Sequence, residues 1–412
     1  MGEMKRYLMT TYSDDVFATL NKHDVTSTED PLYINSSTIN ISLSTFSVPA
    51  GCAVSENFVP ASKVDSRGLI SPETADMMKN VLGAIVLPVL FTIGAPTNSL
   101  SMIIFYKHGL RHRINLCLFA LSLVDVLYLT FDFILNSDAL TTFPSTGKGV
   151  VMEFIVNNHI LGFFGFGWAS QFLSGVIAGE RCLCVVWPLK SQTMLKTKTM
   201  AIVISAGVFL ITTGRFIISE KYRMGCVYDE RNDQQTFQFF PSEWYIQNRG
   251  IVDIFDGVVF GLILPGTFCL TVVLTTLATA LVLKKAVAWR QESSSSSSSS
   301  LSTKEIALTK MLIYLSVQFV LLNIPNLLFR FICIFVQDLS PSGQYHNLYF
   351  FLINILEMCA AMNSSLNFFV YVFTGSKYRE TLKGFFIKSG KKKQAAAGSI
   401  ASATEMRELS HS

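Results

Sequence analysis

Asp125 stands inside an apolar run, in Leu121-Ser-Leu-Val-Asp125. A charge at the centre of a bilayer costs about 2.5–3.5 kcal/mol on insertion scales, so such residues face a protein interior and have a task there. Asn98 (in Gly94-Ala-Pro-Thr-Asn98) and Ser170 occupy two further apolar runs, and Asn363, Ser364 and Asn367 occupy a fourth. Asn363 and Asn367 are four apart and share one face of a helix. Such residues either glue helices together by hydrogen bonds or form a small hydrated cation site, in which one carboxylate with hydroxyl and amide oxygens suits Na⁺. Spacing alone leaves both readings open. A second group is Glu180-Arg181-Cys182 at a helix end, with Glu305 in a later segment. Adjacent opposite charges at a helix end are ordinarily a solvated pair worth under about 1 kcal/mol. An Arg held between two carboxylates would instead latch two helices together, a two-state element suited to switching. Enzyme chemistry has little support: there is no His-x-x-x-His, and no Ser, His and Asp converge.

The elements that must position these residues follow from composition. Of 412 residues, 50% are hydrophobic and 15% are charged, against about a quarter charged in soluble proteins. Mean hydropathy is +0.41 and Phe occurs 33 times. A net charge of +4 is too small to imply a nucleic-acid partner. Eight cysteines without a Cys-x-x-Cys pair argue against a disulfide scaffold or a zinc ribbon. A polytopic, all-α membrane protein remains. Seven runs reach the ~20 residues of a membrane-spanning helix: Val81–Tyr106, Ile114–Leu135, Met152–Val186, Met200–Ser219, Val252–Leu283, Ile306–Val336 and Leu348–Phe373. No series of alternating ten-residue segments suggests a barrel, and no internal repeat suggests a transporter.

Orientation follows from Lys and Arg. The loops after spans 1, 3 and 5 and the C-terminal segment carry nineteen, and the opposite side carries five. The positive-inside rule places the N-terminus outside. Residues 1–79 then form an extracellular, disordered tail, with glycosylation sequons at Asn35 and Asn40. The bundle spans residues 80–373. Its loop around 286–303 contains eight consecutive serines, which read either as a flexible linker or as phosphorylation acceptors for a kinase and then an arrestin. Residues 374–388 read as an amphipathic eighth helix on the inner membrane face, and 389–412 as a disordered cytoplasmic tail.

These residues, in this order over seven spans, resemble the rhodopsin-like (class A) G-protein-coupled receptors across roughly residues 80–387. Asn98, Leu121-x-x-x-Asp125, Glu180-Arg181-Cys182, Pro188, Pro265, Pro325, Asn367-Phe-Phe-Val-Tyr371 and the Gly375–Phe386 segment carry the resemblance. It implies a multi-pass plasma-membrane receptor that is not an enzyme and that couples to a heterotrimeric G protein. It also implies a sodium pocket at Asp125, Ser170, Asn363, Ser364 and Asn367, and a switch made by Glu180, Arg181, Glu305, Asn367 and Tyr371. No cofactor beyond that sodium ion is expected. The departures are Phe368 in place of the span 7 Pro, Asn323 in place of a toggle Trp, Gln171 beside Phe319, Val273 in place of a Tyr, and Val156 in place of a Cys. That Cys normally bridges to the second outer loop, so Cys226 there is left to pair with Cys52, to pair with Cys333, or to stay free.

The ligand pocket implied by the resemblance contains His159, Phe163, Asn323, Arg330 and Glu357. Phe163 replaces the Asp of amine receptors and Ala361 replaces the retinal-linking Lys, so neither a biogenic amine nor a photoreceptor is expected. Arg330 and Glu357 either bind opposite charges of one ligand or pair with each other. The aromatic second outer loop suits a peptide and is similar to that of invertebrate FMRFamide-type neuropeptide receptors. The run from Glu180 to Leu189 is similar to molluscan chemosensory receptors. A neuropeptide receptor is the first expectation. A small-molecule chemosensory receptor or a signalling-poor decoy comes second, and a channel or transporter last.

Overall fold

In the computed structural model of the protein, seven helices among the described residues are long and apolar enough to cross a membrane. The described residues are 53–54, 69–136, 153–229, 234–292, 303–336, 338–340 and 343–385. The helices are α1 (Pro72–His108), α2 (Arg113–Asn136), α3 (Ile160–Val186), α4 (Thr197–Ser219), α5 (Glu243–Ala288), α6 (Ile306–Phe335) and α7 (His346–Thr374). Leu270, Leu274, Leu277 and Leu281 repeat at helical spacing along α5 and are 57–62% exposed. Ile202, Phe209 and Leu210 on α4 are each 68% exposed. The buried set, by contrast, includes Asn98, Asp125, Ser170, Glu180 and Asn367. Apolar faces turned out and polar residues turned in suit a bundle whose solvent is lipid.

Two helices begin earlier than hydropathy predicts. α1 starts at Pro72, inside the expected tail, because Ser71 caps it: its hydroxyl accepts from the Thr74 N–H at 3.3 Å, and Pro72 fills the first turn. α5 starts at Glu243 rather than Val252, because the Ser242 hydroxyl accepts from the Tyr245 N–H at 3.1 Å. Both first turns are polar and invisible to an apolar scan. A π-helical stretch, Ile254–Ile263, follows in α5 and ends beside Pro265, which has no N–H to continue an α-ladder. The helix then runs on to Glu292, past the expected end at Leu283. The third segment is interrupted at His159, whose φ of 59° breaks the chain before a 3₁₀ turn, Ile160–Phe164, opens α3.

The second outer loop folds as an antiparallel hairpin of β2 (Tyr222–Asp229) and β3 (Gln234–Pro241). The sequence reading assigned this aromatic loop no strands, although Thr236-Phe-Gln-Phe alternates and Asn232-Asp233 is a turn signal. A two-residue strand, β1 (Ala53–Val54), lies parallel to β2, with Ala53 opposite Val227. At the other end of the bundle, residues 376–385 are helical and pack back on α1. The Tyr378 hydroxyl is 2.8 Å from Ser101 Oγ, and Lys107 Nζ sits 3.5 Å over the Phe385 ring. Asn35, Asn40, the serine tract and residues 389–412 lie outside the described residues.

Cys333 is a free thiol, as are Cys117, Cys182, Cys184, Cys269 and Cys359. Cys52 and the Cys226 side chain lie outside the described residues. With Cys333 free, Cys52 is the remaining one of the two bridge partners expected for Cys226. Non-reducing peptide mapping should recover a Cys52–Cys226 cross-linked peptide. Recovery of alkylated Cys226 from the unreduced protein would exclude the bridge.

Candidate functional site

Asp125 is fully buried on α2 and accepts three hydrogen bonds. Its Oδ1 receives Ser170 Oγ of α3 at 2.6 Å and Ser364 Oγ of α7 at 2.8 Å, and its Oδ2 receives Asn367 Nδ2 at 2.8 Å. Asn98 Nδ2 donates to the Ser364 carbonyl at 2.8 Å, which ties α1 to α7. Gly94 lets these two helices approach closely: a Cβ there would meet Ser365 Oγ at 2.6 Å. The structure thus gathers Asn98, Asp125, Ser170, Ser364 and Asn367 from four helices, while the Asn363 carbonyl accepts from Gln318 Nε2 of α6 at 3.1 Å. Gln318 Nε2 also reaches Asn367 Oδ1 at 3.2 Å, so Asn367 is shared between α2 and α6. The sequence reading passed over Gln318, although an amide between Val317 and Phe319 in a largely apolar run carries the same signal of cost in lipid as Asn98.

At the far end of α3, Glu180 is 2% exposed. Arg181 donates to it twice, through Nε at 2.5 Å and Nη2 at 2.9 Å. Arg113 at the start of α2 approaches the same carboxylate, at 3.6 Å. Arg113 Nη1 also donates to the carbonyls of Ser191 and Leu195, both at 2.6 Å. The carboxylate is therefore held between two guanidinium groups. The expected arrangement was one guanidinium between two carboxylates, but the Glu305 side chain lies outside the described residues. Arg113 had entered the sequence reading only as a loop charge, because its proximity to Glu180 is set by the packing of α2 against α3. Tyr371 is fully buried, with its ring edge-on to Phe105 at 5.1 Å.

Toward the hairpin end, a cavity of about 380 Å³ opens between the helices. Asn323, Arg330 and Glu357 line it, as expected. His159 and Phe163 do not. His159 lies at the outer edge, 3.0 Å from Glu220. Phe163 stacks on Phe131 of α2 with centroids 4.1 Å apart. The left-handed residue and the 3₁₀ turn rotate this part of the chain away from the facing that a continuous α-helix would give it. The cavity also takes in Tyr128, Asp132, Trp168, Arg215, Lys221 and Asp256, which sequence reasoning did not assign to a pocket. Arg215 Nη1 meets Asp256 Oδ1 at 2.9 Å, and its guanidinium lies 4.6 Å over the Trp168 ring. Lys221 Nζ meets Asp253 Oδ1 at 2.9 Å. The cavity floor contains Ser170, Asn363 and Ser364, two of which are the hydroxyl donors to Asp125.

Seven apolar helices with a buried acid at their centre, a charged cavity at one end and a guanidinium–carboxylate cluster at the other are the architecture of a seven-transmembrane receptor of the G-protein-coupled class. Residues 85–389 match the model of the serpentine type 7TM GPCR chemoreceptor Srw family, and the chain belongs to that family.

The polar core has a measurable cost of removal. Asp125→Ala leaves three buried donors without their acceptor, at about 1–3 kcal/mol each. In thermal unfolding of the detergent-solubilised protein, the variant should melt well below the wild type. Asp125→Asn, which keeps one acceptor oxygen, should fall between them. Equal midpoints for all three would mean that these hydrogen bonds contribute nothing to stability.

Proposed function

We propose that the protein is a chemosensory receptor of the plasma membrane. It takes a small extracellular molecule into the cavity at the hairpin end and signals to a heterotrimeric G protein at the Glu180 end. The observation that carries this reading is the shared floor. Ser170 and Ser364 line the cavity and also donate to Asp125, so a ligand that shifts either serine acts directly on the polar core. Membership of a chemoreceptor family favours a small molecule over the neuropeptide expected first. The cavity's volume lies within the usual range for small-ligand sites, ~300–1,000 Å³.

Transmission runs through named bonds. Gln318 joins α6 to Asn367, and Asn367 joins α7 to Asp125. Loosening that chain frees α6 to move outward. Release of Arg181 from Glu180 then offers the guanidinium to the G protein. Arg113 holds Glu180 in the resting arrangement, and Glu305, just before α6 in the sequence, is the second carboxylate of the proposed latch. Asp125 with the Ser170 and Ser364 hydroxyls and the Asn363 and Asn367 side chains is a donor set suited to Na⁺, which would stabilise the resting state by neutralising the carboxylate. In this reading the tail bearing Asn35 and Asn40 is extracellular and the nineteen-cation side faces the cytoplasm. Residues 376–385 lie along the inner membrane face, and the serine tract offers acceptors to a kinase and then a docking charge to an arrestin.

A G-protein activation assay in cells, screened with a small-molecule library, tests the proposal. A ligand-dependent response is expected, lost on Arg181→Ala at unchanged surface expression. Gln318→Leu should raise ligand-independent activity several-fold, because it cuts the α6–α7 bond and leaves the Asp125 core bonded. A surface-displayed receptor that activates no G protein with any compound would sink the signalling reading. Unchanged basal activity in Gln318→Leu would remove Gln318 from the transmission path.

A further inference from the structure

The charges around the cavity come from several helices. Asp132 of α2 and Glu357 of α7 supply carboxylates. Arg330 of α6 and the Arg215–Asp256–Lys221 group of α4, α5 and the outer loop supply the positive charge. The second group is largely satisfied internally: Arg215 pairs with Asp256, and Lys221 lies 2.9 Å from Asp253 and 3.6 Å from Asp256. The first group is not. Asp132 is 1% exposed, and only its Oδ1 has a protein partner, Asn136 Nδ2 at 2.8 Å. Its Oδ2 is buried without one. Among the described residues, Glu357 has neither a hydrogen bond nor an ion pair. It lies deep in the bundle yet remains accessible, because it faces the cavity. Arg330 donates its Nε to Asn326 on its own helix, at 3.0 Å, and no carboxylate among the described residues lies within ion-pair distance of it. Glu357 and Arg330 line the same cavity without an ion pair between them.

Neither carboxylate has an ion pair among the described residues, although Arg330 lines the same cavity, so a cation entering that space meets two unpaired acceptors. Tyr128 lies one turn along α2 from Asp132 and lines the same wall. An aromatic face beside carboxylates suits an ammonium group. Arg330, with Asn323 and Asn326 next to it on the wall, presents a guanidinium that fits a carboxylate. We infer that the ligand is a compact zwitterion of amino-acid or dipeptide size, its ammonium held by Asp132, Glu357 and Tyr128 and its carboxylate by Arg330. This rests on the proposal that the cavity is the ligand site.

The test measures binding without reference to signalling, by ligand-induced thermal stabilisation of the purified full-length receptor. The probes are the twenty free amino acids and a set of dipeptides, with their N-acetyl and methyl-ester derivatives, simple alkylamines, and neutral esters and ketones. At least one zwitterion should stabilise the receptor. N-acetylation and esterification should each weaken its apparent affinity at least tenfold. Asp132→Asn and Glu357→Gln should reproduce the first loss, and Arg330→Gln the second. The chemical derivatives keep the result readable on the wild type should a variant fold poorly. Stabilisation by uncharged compounds alone, no stabilisation by any zwitterion, or zwitterion binding indifferent to Asp132 and Glu357 would overturn the inference. Zwitterion binding without G-protein activation would uphold it while refuting the signalling proposal.

Discussion

A carboxylate enclosed by a helix bundle must have its oxygens met by donors from other helices, and most of this architecture depends on that requirement at Asp125. Asp125 itself has no exposed surface, and an unmet charge there would be expelled or would unfold its surroundings. Ser170, Ser364 and Asn367 meet it from α3 and α7. Each of those helices can satisfy Asp125 in only one rotation about its axis. The single acid therefore fixes which faces of α2, α3 and α7 point inward, and by exclusion which faces meet lipid. Asn98 extends the constraint to α1 through the Ser364 carbonyl, and Gln318 extends it to α6.

The same constraint ties α3 physically to both ends of the molecule. Ser170 and Glu180 are ten residues apart on one helix, about 15 Å along its axis. The first touches Asp125 and the cavity, and the second is clasped by Arg181 and Arg113. A rigid shift of α3 is felt at both ends at once. Arg113 reaches the carbonyls of Ser191 and Leu195 as well, so the loop after α3 moves with the cluster.

Much of this was legible in the sequence, for a physical reason. Residues that are expensive in lipid stand out against an apolar background, so Asn98, Asp125, Asn363, Ser364 and Asn367 were found by cost alone. Asn323, Arg330 and Glu357 were placed in the pocket by family resemblance. What escaped notice was of two kinds. Gln318 stood out as an amide in an apolar run but was not followed, and Arg113 matters through a partner far away in sequence, which no local pattern reveals. His159 and Phe163 were assigned by counting along a regular α-helix, and a left-handed residue followed by a 3₁₀ turn defeats such counting. The hairpin β2–β3 and the early starts of α1 and α5 had local signals in turn residues and serine caps, but a scan tuned to long apolar runs passes over both.

The altered positions on α6 and α7 bear on where bending can occur. α7 carries Phe368 where the class A resemblance led to the expectation of a proline, and its backbone ladder runs from His346 to Thr374. α6 does contain an internal proline, Pro325, which cannot donate to the carbonyl one turn earlier, at Leu321. Asn323, two residues before it, spends its side-chain amide on the Phe319 carbonyl at 2.8 Å. The weakest stretch of either ladder therefore lies where Asn323 and Asn326 form the cavity wall. A group that binds there acts on the one place where α6 has already lost a backbone hydrogen bond. Just below it, Gln318 ties the next turn of α6 to Asn367. A bend above and a tether below make the α6 position sensitive to the cavity without any need for α7 to kink.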